Sequence, residues 1–343
     1  KFIFLRTLED FSLIPWNHII DSYDNMVTLW KAKGYKKVFK EFFTNLNSWA
    51  YLYYDTELFE DNIFDWIEQS DENIKCFQEA VERILGLTSW SMTFGKGLIH
   101  YNYRAINEDI FGKTYEIFLA EKREERGIHY TPSIITTAMS KSLVNEIFMQ
   151  LKNELLDTIK DCQFEKAREI VKKLINIKIL DPACGSGSFL VKLLRLLWDL
   201  YQEIRNETEW AIKKENLYEP EDITERKQQI ITIRQMLGLD SKRKTVALII
   251  LRHLYGIDLD EKAIAVAKVN IWKEAIKLSP SDYRHTELSS GIDHILPNLE
   301  MNLIHANSLI DFPASVCIKA LAGHKDAIKR LHEIRDEYLR NPY

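Results

Sequence analysis

The feature that most constrains the fold is an apolar segment interrupted by a glycine-rich bend, KILDPACGSGSFL, at residues 178–190. Ile177 to Leu180 is short, apolar and β-branched, which is typical of a buried parallel strand, and Gly187 to Leu200 returns to helical periodicity. The segment therefore predicts a strand, a tight turn and a helix in succession. Such a turn presents backbone N–H groups and a helix N-terminus to a ligand above the carboxyl end of the strand.

Three kinds of ligand could occupy this turn. A phosphate-binding P-loop ends in Gly-Lys-Ser/Thr, which is absent here, and the dinucleotide fingerprint requires a small residue where Leu190 stands. Asp181 and Pro182 precede the turn, and a carboxylate at the end of a strand attracts a cation and repels a pyrophosphate. The sequence therefore favours a ligand that carries positive charge and no phosphate near Asp181.

A second segment, beginning at Leu254, predicts a strand followed by an amphipathic helix at residues 261–278. Asp258 stands at the end of this strand, where a carboxylate can accept hydrogen bonds from both ribose hydroxyls. Asp260 is better suited to capping the helix. The spacing from the glycine turn to Asp258 is about 70 residues, against roughly 20 in a simple dinucleotide fold. We therefore expect the charged stretch Tyr201 to Thr245 to form a helical insertion at the surface.

Two shorter segments add candidate residues. Asn302 to Ala306 predicts a third strand, and it ends at Asn307 and Ser308, where a side-chain amide could recognise an adenine edge. Thr131 precedes Pro132, and the residue before a proline avoids helical angles. We therefore expect Thr131 to be a helix N-cap with Pro132 at the first helical position.

The spacing of apolar residues divides the chain into two parts. From Lys1 to Leu87, aromatic and aliphatic residues recur at helical spacing, and we predict a helical domain at residues 1–107. Thr88 to Asn107 is loop-like, a helix is predicted at Glu108 to Lys122, and a solvated helix is predicted at Glu154 to Leu174. We predict that residues 108–343 form an α/β domain.

Composition excludes several classes of protein. The 343 residues are 46% hydrophobic, enough for more than one core, and no stretch approaches the roughly 20 apolar residues of a membrane span. We therefore expect a soluble, cytoplasmic protein with no membrane partner. The four cysteines show no C-x-x-C spacing, so we expect neither disulfides nor a metal site. The formal net charge of -5 gives no global basic footprint, so contact with nucleic acid would need a local patch or a module outside this chain.

Taken in order, these segments resemble the S-adenosylmethionine-binding motifs of DNA adenine-N6 methyltransferases. The resemblance rests on Tyr130-Thr131-Pro132, DPACGSGSF at residues 181–189, GIDLD at residues 256–260 and ANSL at residues 306–309. It looks most like the large enzymes of type I and type IIG restriction-modification systems. It implies a Rossmann-like S-adenosylmethionine-dependent methyltransferase fold with an N-terminal helical domain, and methyl transfer to an adenine flipped from double-stranded DNA.

The resemblance also implies roles for individual residues. Thr131 would contact the methionine carboxylate, and Asp181 would lie near the ammonium. Asp258 would bind the ribose and Asn307 the adenine amino group, while the glycine backbone packs against the cofactor and Phe189 supports the turn. The full set of residues expected at the cofactor site is Tyr130, Thr131, Pro132, Asp181, Pro182, Ala183, Cys184, Gly185, Ser186, Gly187, Phe189, Asp258, Leu259, Asn307 and Ser308.

The same family uses an Asn/Asp-Pro-Pro-Tyr/Phe tetrapeptide, which accepts hydrogen bonds from the target amine and stacks on the flipped base. The candidates here are Asn341, Pro342 and Tyr343, which contain one proline and follow a charged helical pattern. We therefore expect the domain to be truncated at its C-terminus, with the catalytic tetrapeptide and any specificity or restriction domain or subunit outside this chain. Two alternatives stay open: a methyltransferase acting on RNA or protein, and a non-catalytic cofactor-binding subunit.

Overall fold

The structure is a computed structural model, and it describes residues 2–33, 46, 70–87, 97–106, 115, 131–215, 220–283, 296–309 and 325–340. The chain divides into two compact units. One comprises Lys1–Asn107 with Pro280–Asn298, and the other comprises Glu108–Ser279 with Leu299–Tyr343. The domain boundaries expected from the sequence, 1–107 and 108–343, stay a prediction.

Helices make up most of what the structure describes of the first unit. They are α1 (Phe2–Asp10), α2 (His18–Lys33) and α3 (Asp71–Leu85), with short 3₁₀ turns at Leu98–His100 and Pro280–Tyr283. At the start of α3 the Ser70 hydroxyl accepts a hydrogen bond from the Asn73 N–H at 3.1 Å. Gly86 ends the helix in the left-handed conformation, with φ of 91°. The helical prediction for residues 1–87 is confirmed where the structure describes them.

Charged side chains are buried on α1, and each has a partner. Arg6 forms ion pairs with Glu9 and Asp10. Glu9 also accepts from the Ile19 N–H at 2.7 Å, and Asp10 accepts from the Tyr103 N–H at 2.6 Å. Because a buried charge is costly unless it is paired and hydrogen-bonded, these contacts let α1 carry charge in the core while tying it to α2 and to residues 97–106.

A parallel sheet among helices forms the second unit. Its elements in chain order are α4 (Ser133–Leu143), a π-helical turn (Val144–Phe148), α5 (Met149–Lys160), α6 (Phe164–Asn176), β1 (Ile179–Asp181), α7 (Ser188–Glu215), α8 (Pro220–Leu237), α9 (Lys242–His253), β2 (Leu254–Asp258), α10 (Glu261–Leu278), β3 (Leu303–His305) and α11 (Lys325–Arg340). The second unit is therefore an α/β structure.

The three strands lie in the order β1-β2-β3, and all are parallel. Asp181 is opposite Gly256 on β2, and Asp258 is opposite His305 on β3. The predicted strands at residues 177–180, 254–258 and 302–306 are confirmed, with β1 shifted by two residues at its start. The carboxyl ends of all three strands meet at one edge of the sheet.

Helices cover one face of this sheet. Successive residues of a strand point to opposite faces, and Ile179, Leu254 and Leu303 are buried. Their neighbours Leu180 and Ile304 are 56% and 45% exposed.

The charged insertion between the first two strands is helical, as predicted. The helix α7 extends from the turn to Glu215, and α8 and α9 follow it. The chain returns to the sheet only after α9. There it forms β2, which pairs directly with β1 despite the long insertion.

Two helix predictions are wrong in detail. Residues 154–174 were expected to be one helix, but α5 and α6 are separate, and Cys162 between them has φ of 59°. This left-handed residue turns the chain, and the Gln163 N–H closes α5 by donating to the Thr158 carbonyl at 2.8 Å.

The predicted cap at Thr131 is also wrong. The N-cap of α4 is Pro132, whose ψ of 140° is extended, and the first helical residue is Ser133. Because Pro132 is extended and not helical, the helix starts one residue later than the sequence indicated. The predicted helix at 108–122 lies outside the described residues except for Tyr115, which is helical.

Within the part of the chain that the structure describes, every helix is too short or too polar to cross a membrane.

Candidate functional site

The parallel register brings two carboxylates to one end of the sheet. Asp181 ends β1 opposite Gly256, and Asp258 lies two residues further along the neighbouring strand. Strand spacing and rise per residue place the two Cα atoms roughly 8 Å apart. Both carboxylates are therefore within reach of a single small ligand, as the sequence predicted.

Asp258 links three loops at this edge. Its Oδ2 accepts a hydrogen bond from the Gly185 N–H at 2.8 Å, and its Oδ1 accepts from the Asp260 N–H at 2.9 Å. Its backbone carbonyl accepts from the Ala306 N–H at 3.0 Å. The turn after β1, the loop after β2 and the loop after β3 therefore all bond to one residue.

The glycine turn lies against the end of β2. The Cys184 N–H donates to the Ile257 carbonyl at 2.9 Å, and the Gly187 N–H donates to the Cys184 carbonyl at 2.8 Å. Gly185 and Gly187 have φ of 52° and 83°, values that favour glycine. The sequence therefore folds into a tight turn that leads directly into α7.

The two turn glycines face different surroundings. A Cβ added at Gly185 would meet no atom within 4 Å, whereas one at Gly187 would lie 3.1 Å from the Ala267 Cβ of α10. Gly187 therefore allows close packing of the turn against the helix. Gly185 leaves its backbone bare towards open space, which a ligand can approach closely.

The surroundings of Asp181 disfavour the ionised form of its carboxyl group. Its Oδ1 accepts from the Ala183 N–H at 3.2 Å, while its Oδ2 is buried without a hydrogen-bond partner among the described residues. Burial raises the pKa of Asp181, the nearby charge of Asp258 raises it further, and the Ala183 N–H opposes the change. A cation at this position would stabilise the ionised carboxylate.

Cys184 sits beneath the turn as a neutral thiol. Burial, reinforced by the charges of Asp181 and Asp258, raises its pKa to about 12. A Cβ added at Gly256 of β2 would lie 2.9 Å from the Cys184 Sγ, so the sulfur fills the space that this glycine leaves. Cys184 is therefore a packing residue and not a nucleophile.

The loops after β2 and β3 carry the remaining predicted residues. Leu259 is exposed, and its carbonyl lies 3.0 Å from His305 Nε2. Asn307 and Ser308 are exposed, and Asn307 Oδ1 accepts from the Leu309 N–H at 3.0 Å. The predicted cap is confirmed, since Asp260 Oδ1 accepts from the Lys262 N–H at 3.0 Å.

The structure therefore brings together Asp181, the glycine turn, Asp258 and the loop after β3. Thr131 and Pro132 lie immediately before α4, which packs against α7. Tyr130 and the candidate tetrapeptide residues 341–343 lie outside the described residues.

Two residues at this edge escaped sequence reasoning. Tyr115 donates its hydroxyl to Asp260 Oδ2 at 2.7 Å, and Asn270 donates its side-chain amide to the Ser186 carbonyl at 2.9 Å. Asn270 interrupts the apolar stripe that Ala263, Ala267 and Ile271 form on α10, and that interruption is a signal that could have revealed it. Nothing in the sequence around Tyr115 indicates its partner.

No group of three His, Cys, Asp or Glu side chains is placed to hold a metal ion within the described ranges. The polar groups that converge at the sheet edge are two carboxylates with acceptor positions to spare, which suit an organic ligand that has cationic and hydroxyl groups.

A parallel sheet whose glycine turn and acidic strand ends converge in this way is typical of the α/β domains that bind cofactors. Comparison with known families identifies one family within this class. The family model described as "MmeI, DNA-methyltransferase domain" matches residues 156–331, just over half of the chain. The chain belongs to this family.

The names of similar proteins agree with membership of this DNA-methyltransferase family. A putative type II restriction enzyme and methyltransferase of Methanocaldococcus jannaschii is 30% identical over an alignment of 229 residues, which covers 60% of this chain and 16% of that protein. DNA methyltransferase A of Bacillus subtilis is 27% identical over an alignment of 175 residues, which covers 50% of this chain and 16% of that protein. A type II restriction enzyme and methyltransferase of Escherichia coli is 27% identical over an alignment of 224 residues, which covers 62% of this chain and 19% of that protein.

These relatives are much longer than the region of similarity, since this chain spans only 16 to 19% of their length. No solved structure shows a significant similarity to the chain. The resemblance to methyltransferases of restriction-modification systems, predicted from four motifs, is confirmed.

Proposed function

We propose that this chain is the cofactor-binding part of a site-specific DNA adenine-N6 methyltransferase of a restriction-modification system, and that its cofactor is S-adenosylmethionine. Membership of the MmeI methyltransferase family supports DNA methyl transfer. The observation that carries the proposal is the pair Asp181 and Asp258 at neighbouring strand ends, next to a Gly185 backbone that faces open space. We further propose that β1, β2 and β3 belong to a Rossmann-like sheet.

The charges of the site fit this cofactor. S-adenosylmethionine carries an ammonium and a sulfonium and has no phosphate. The Asp181 Oδ2, buried without a partner among the described residues, can accept from the ammonium, which would also offset the raised pKa of this carboxyl. A pyrophosphate in the same place would face two carboxylates, so dinucleotides fit poorly.

The Asp258 carboxylate can serve two tasks at once. Each carboxylate oxygen has two acceptor positions, and the N–H groups of Gly185 and Asp260 use one on each oxygen. The remaining positions can accept the ribose hydroxyls. Asn307 follows β3, and we propose that its amide recognises the adenine ring.

When bound, S-adenosylmethionine supplies an activated methyl group. The residues of this chain hold and orient the cofactor: Asp181 fixes its amino-acid end, Asp258 fixes the ribose, and the turn excludes water from the space beside Gly185. We propose that the base-holding tetrapeptide is a separate element from Asn341-Pro342-Tyr343, so that cofactor binding and methyl transfer are separable in this chain.

We propose that double-stranded DNA is the substrate and that further parts of a longer protein contribute most of the contacts with it. Neutralising phosphates requires an excess of Lys and Arg, and this chain has a formal net charge of -5. Target recognition would then reside in a specificity or restriction region elsewhere.

Calorimetry tests the cofactor. We expect saturable binding of S-adenosylmethionine and S-adenosylhomocysteine without added metal. Saturable binding of NAD in place of both would refute the proposal.

A tritiated-methyl transfer assay tests the reaction, using adenine-containing duplex DNA and both this chain and a longer natural form of the protein. We expect transfer by the longer form only. Transfer by this chain that is lost in Asn341→Ala would assign the catalytic tetrapeptide to residues 341–343, contrary to our proposal. Transfer to RNA or protein but not to DNA would favour the alternative methyltransferase, and cofactor binding without transfer by either form would favour a non-catalytic subunit.

A further inference from the structure

We infer that Asn270 is a positioning residue for cofactor binding, an inference that rests on the proposed function. Asn270 lies on α10 and is 5% exposed. Its Nδ2 donates to the backbone carbonyl of Ser186 at 2.9 Å, across a gap of 84 residues in sequence. Ser186 is the central residue of the Gly-Ser-Gly turn, so this single side chain fastens the middle of the turn to a helix.

The helix supports the turn at a second point, one helical turn earlier. Ala267 lies beneath Gly187, where an added Cβ would come within 3.1 Å of the Ala267 Cβ. Ala267 and Asn270 are three residues apart and therefore on the same face of α10. The close packing fixes how near the turn lies, and the hydrogen bond fixes how the Ser186 peptide is rotated.

The turn is consequently held from two sides. Asp258 accepts from the Gly185 N–H on the side of the strand ends, and Asn270 donates to Ser186 on the side of the helix. Glycine has little conformational restraint of its own, so the shape of this turn depends on such external contacts. A turn fixed before the ligand arrives avoids the ordering cost of binding.

Packing alone does not explain an asparagine here. Its Oδ1 is buried without a hydrogen-bond partner among the described residues. A buried polar atom without a partner is destabilising, so an apolar residue of similar size would serve the core better. The hydrogen bond to Ser186 is what the amide adds.

The test is the nearly isosteric variant Asn270→Asp, assayed for S-adenosylmethionine binding by calorimetry at about pH 8 and about pH 6. An ionised carboxylate cannot donate to the Ser186 carbonyl, whereas a protonated carboxyl can, and burial favours the protonated form. We expect the Kd relative to wild type to rise about tenfold at the higher pH and to return to within about threefold at the lower pH.

The affinity ratio to wild type at each pH is the quantity compared, because any pH dependence that comes from Asp181 is shared by both proteins. The other titratable and charged groups of the turn and its supporting helices are likewise common to both proteins. They are the Cys184 thiol and the charged side chains of Arg195, Asp258, Lys273 and Glu274.

The matched control is Asn302→Asp. Asn302 is also buried, at 4% exposure, and its Nδ2 donates to the Leu254 carbonyl at 2.8 Å, at the amino end of the sheet away from the turn. This variant should lower the Tm in the same pH-dependent way, while the Kd of the folded protein stays within about twofold of wild type because the turn is untouched.

The outcomes are distinct. A wild-type chain that binds neither S-adenosylmethionine nor S-adenosylhomocysteine overturns the proposed function together with this inference. Asn270→Ser is assayed beside Asn270→Asp, and replaces it should Asn270→Asp fail to fold at the higher pH. Wild-type affinity of Asn270→Asp at both pH values together with wild-type affinity of Asn270→Ser, or weak binding of Asn270→Asp with no recovery at low pH, overturns the inference alone. The hydroxyl of Asn270→Ser is too short to reach Ser186, so weak binding at both pH values is expected, and wild-type affinity would overturn the inference.

Discussion

The backbone N–H of Gly185 donates to the carboxylate of Asp258 at 2.8 Å, although the two residues are 73 positions apart in the sequence. The acidic residue at the end of β2 therefore shapes the glycine turn that follows β1. A residue expected to bind a ligand directly also maintains the surface on which that ligand rests. The predictions for the site follow from this double role.

Replacing Asp258 should weaken cofactor binding through both roles. Asp258→Ala removes the acceptors of the Gly185 and Asp260 N–H groups together with the proposed ribose ligand. We expect a loss of about 1 to 3 kcal/mol in binding free energy by calorimetry, because charge-assisted hydrogen bonds are lost. Asp258→Asn, which keeps one acceptor oxygen, should lose less. Equal affinity for Asp258→Ala and wild type would remove Asp258 from the site.

The ionised form of Asp181 should lower the stability of the fold and strengthen cofactor binding. Its folded-state pKa is raised, chiefly by burial, so the folded state holds its proton more tightly than the unfolded state. Ionisation therefore costs stability as the pH rises from the unfolded pKa through the folded pKa. At neutral pH without cofactor, Asp181→Asn should have a higher free energy of unfolding in urea than wild type, and the difference should vanish at acidic pH.

The same variant should bind S-adenosylmethionine about ten- to a hundredfold more weakly, because a neutral amide does not pair with the ammonium. For wild type we expect affinity to fall as the pH drops through the pKa of Asp181, and this dependence should be absent in Asp181→Asn. A variant that is both less stable and equally tight in binding would show that Asp181 serves only the fold.

The two turn glycines should respond differently to alanine. Gly185→Ala introduces left-handed strain of about 1 to 2 kcal/mol without a clash, but its methyl group enters the space that we assign to the cofactor. Gly187→Ala adds the approach to Ala267 at 3.1 Å, so we expect a loss of stability of about 2 to 4 kcal/mol. Urea unfolding and calorimetry on both variants distinguish these effects. Relative to its loss of stability, Gly185→Ala should lose more affinity than Gly187→Ala. The opposite result would contradict the assignment of the open space beside Gly185 to the cofactor.

His253 should make the fold sensitive to acid. Its Nδ1 donates to the Ile177 carbonyl at 2.7 Å and its Nε2 lies 2.8 Å from the Tyr201 hydroxyl. Burial lowers its pKa from 6.5 to about 4, against the effect of the Ile177 hydrogen bond. The unfolded state therefore binds the proton first, and stability is lost as the pH falls from about 6.5 to about 4, by up to roughly 3 kcal/mol.

The variant His253→Gln tests this, because it keeps an N–H donor but does not titrate in this range. Its free energy of unfolding should decline less steeply than that of wild type between pH values of about 7 and about 4. Parallel declines would show that other groups carry the acid sensitivity.

Local sequence patterns were sufficient for the elements that position the site. Short apolar runs ending in Asp181 and Asp258 predicted two of the strands, and the parallel arrangement follows from the helices between them. The cap at Asp260 was predictable because a carboxylate before an amphipathic helix has a local reason to be there.

Contacts between distant elements could not be predicted in this way. The hydrogen bond from Asn270 to Ser186 depends on how α10 is rotated against the turn, and no local pattern specifies that rotation. The break at Cys162 escaped prediction because a left-handed conformation at a residue other than glycine has no reliable sequence signal. The polar residue on the apolar stripe of α10 was visible, but its partner was not.

The insertion of α7, α8 and α9 between β1 and β2 has a consequence for folding kinetics. The strands that carry Asp181 and Asp258 pair only after a long loop has closed, whereas helices form from local contacts on much shorter timescales. We expect helical circular dichroism to recover early during refolding and the capacity to bind S-adenosylmethionine to recover late, in a separate slower phase. Simultaneous recovery would mean that the sheet forms with the helices. If binding does recover last, the cofactor can report completion of the fold but cannot guide its early steps.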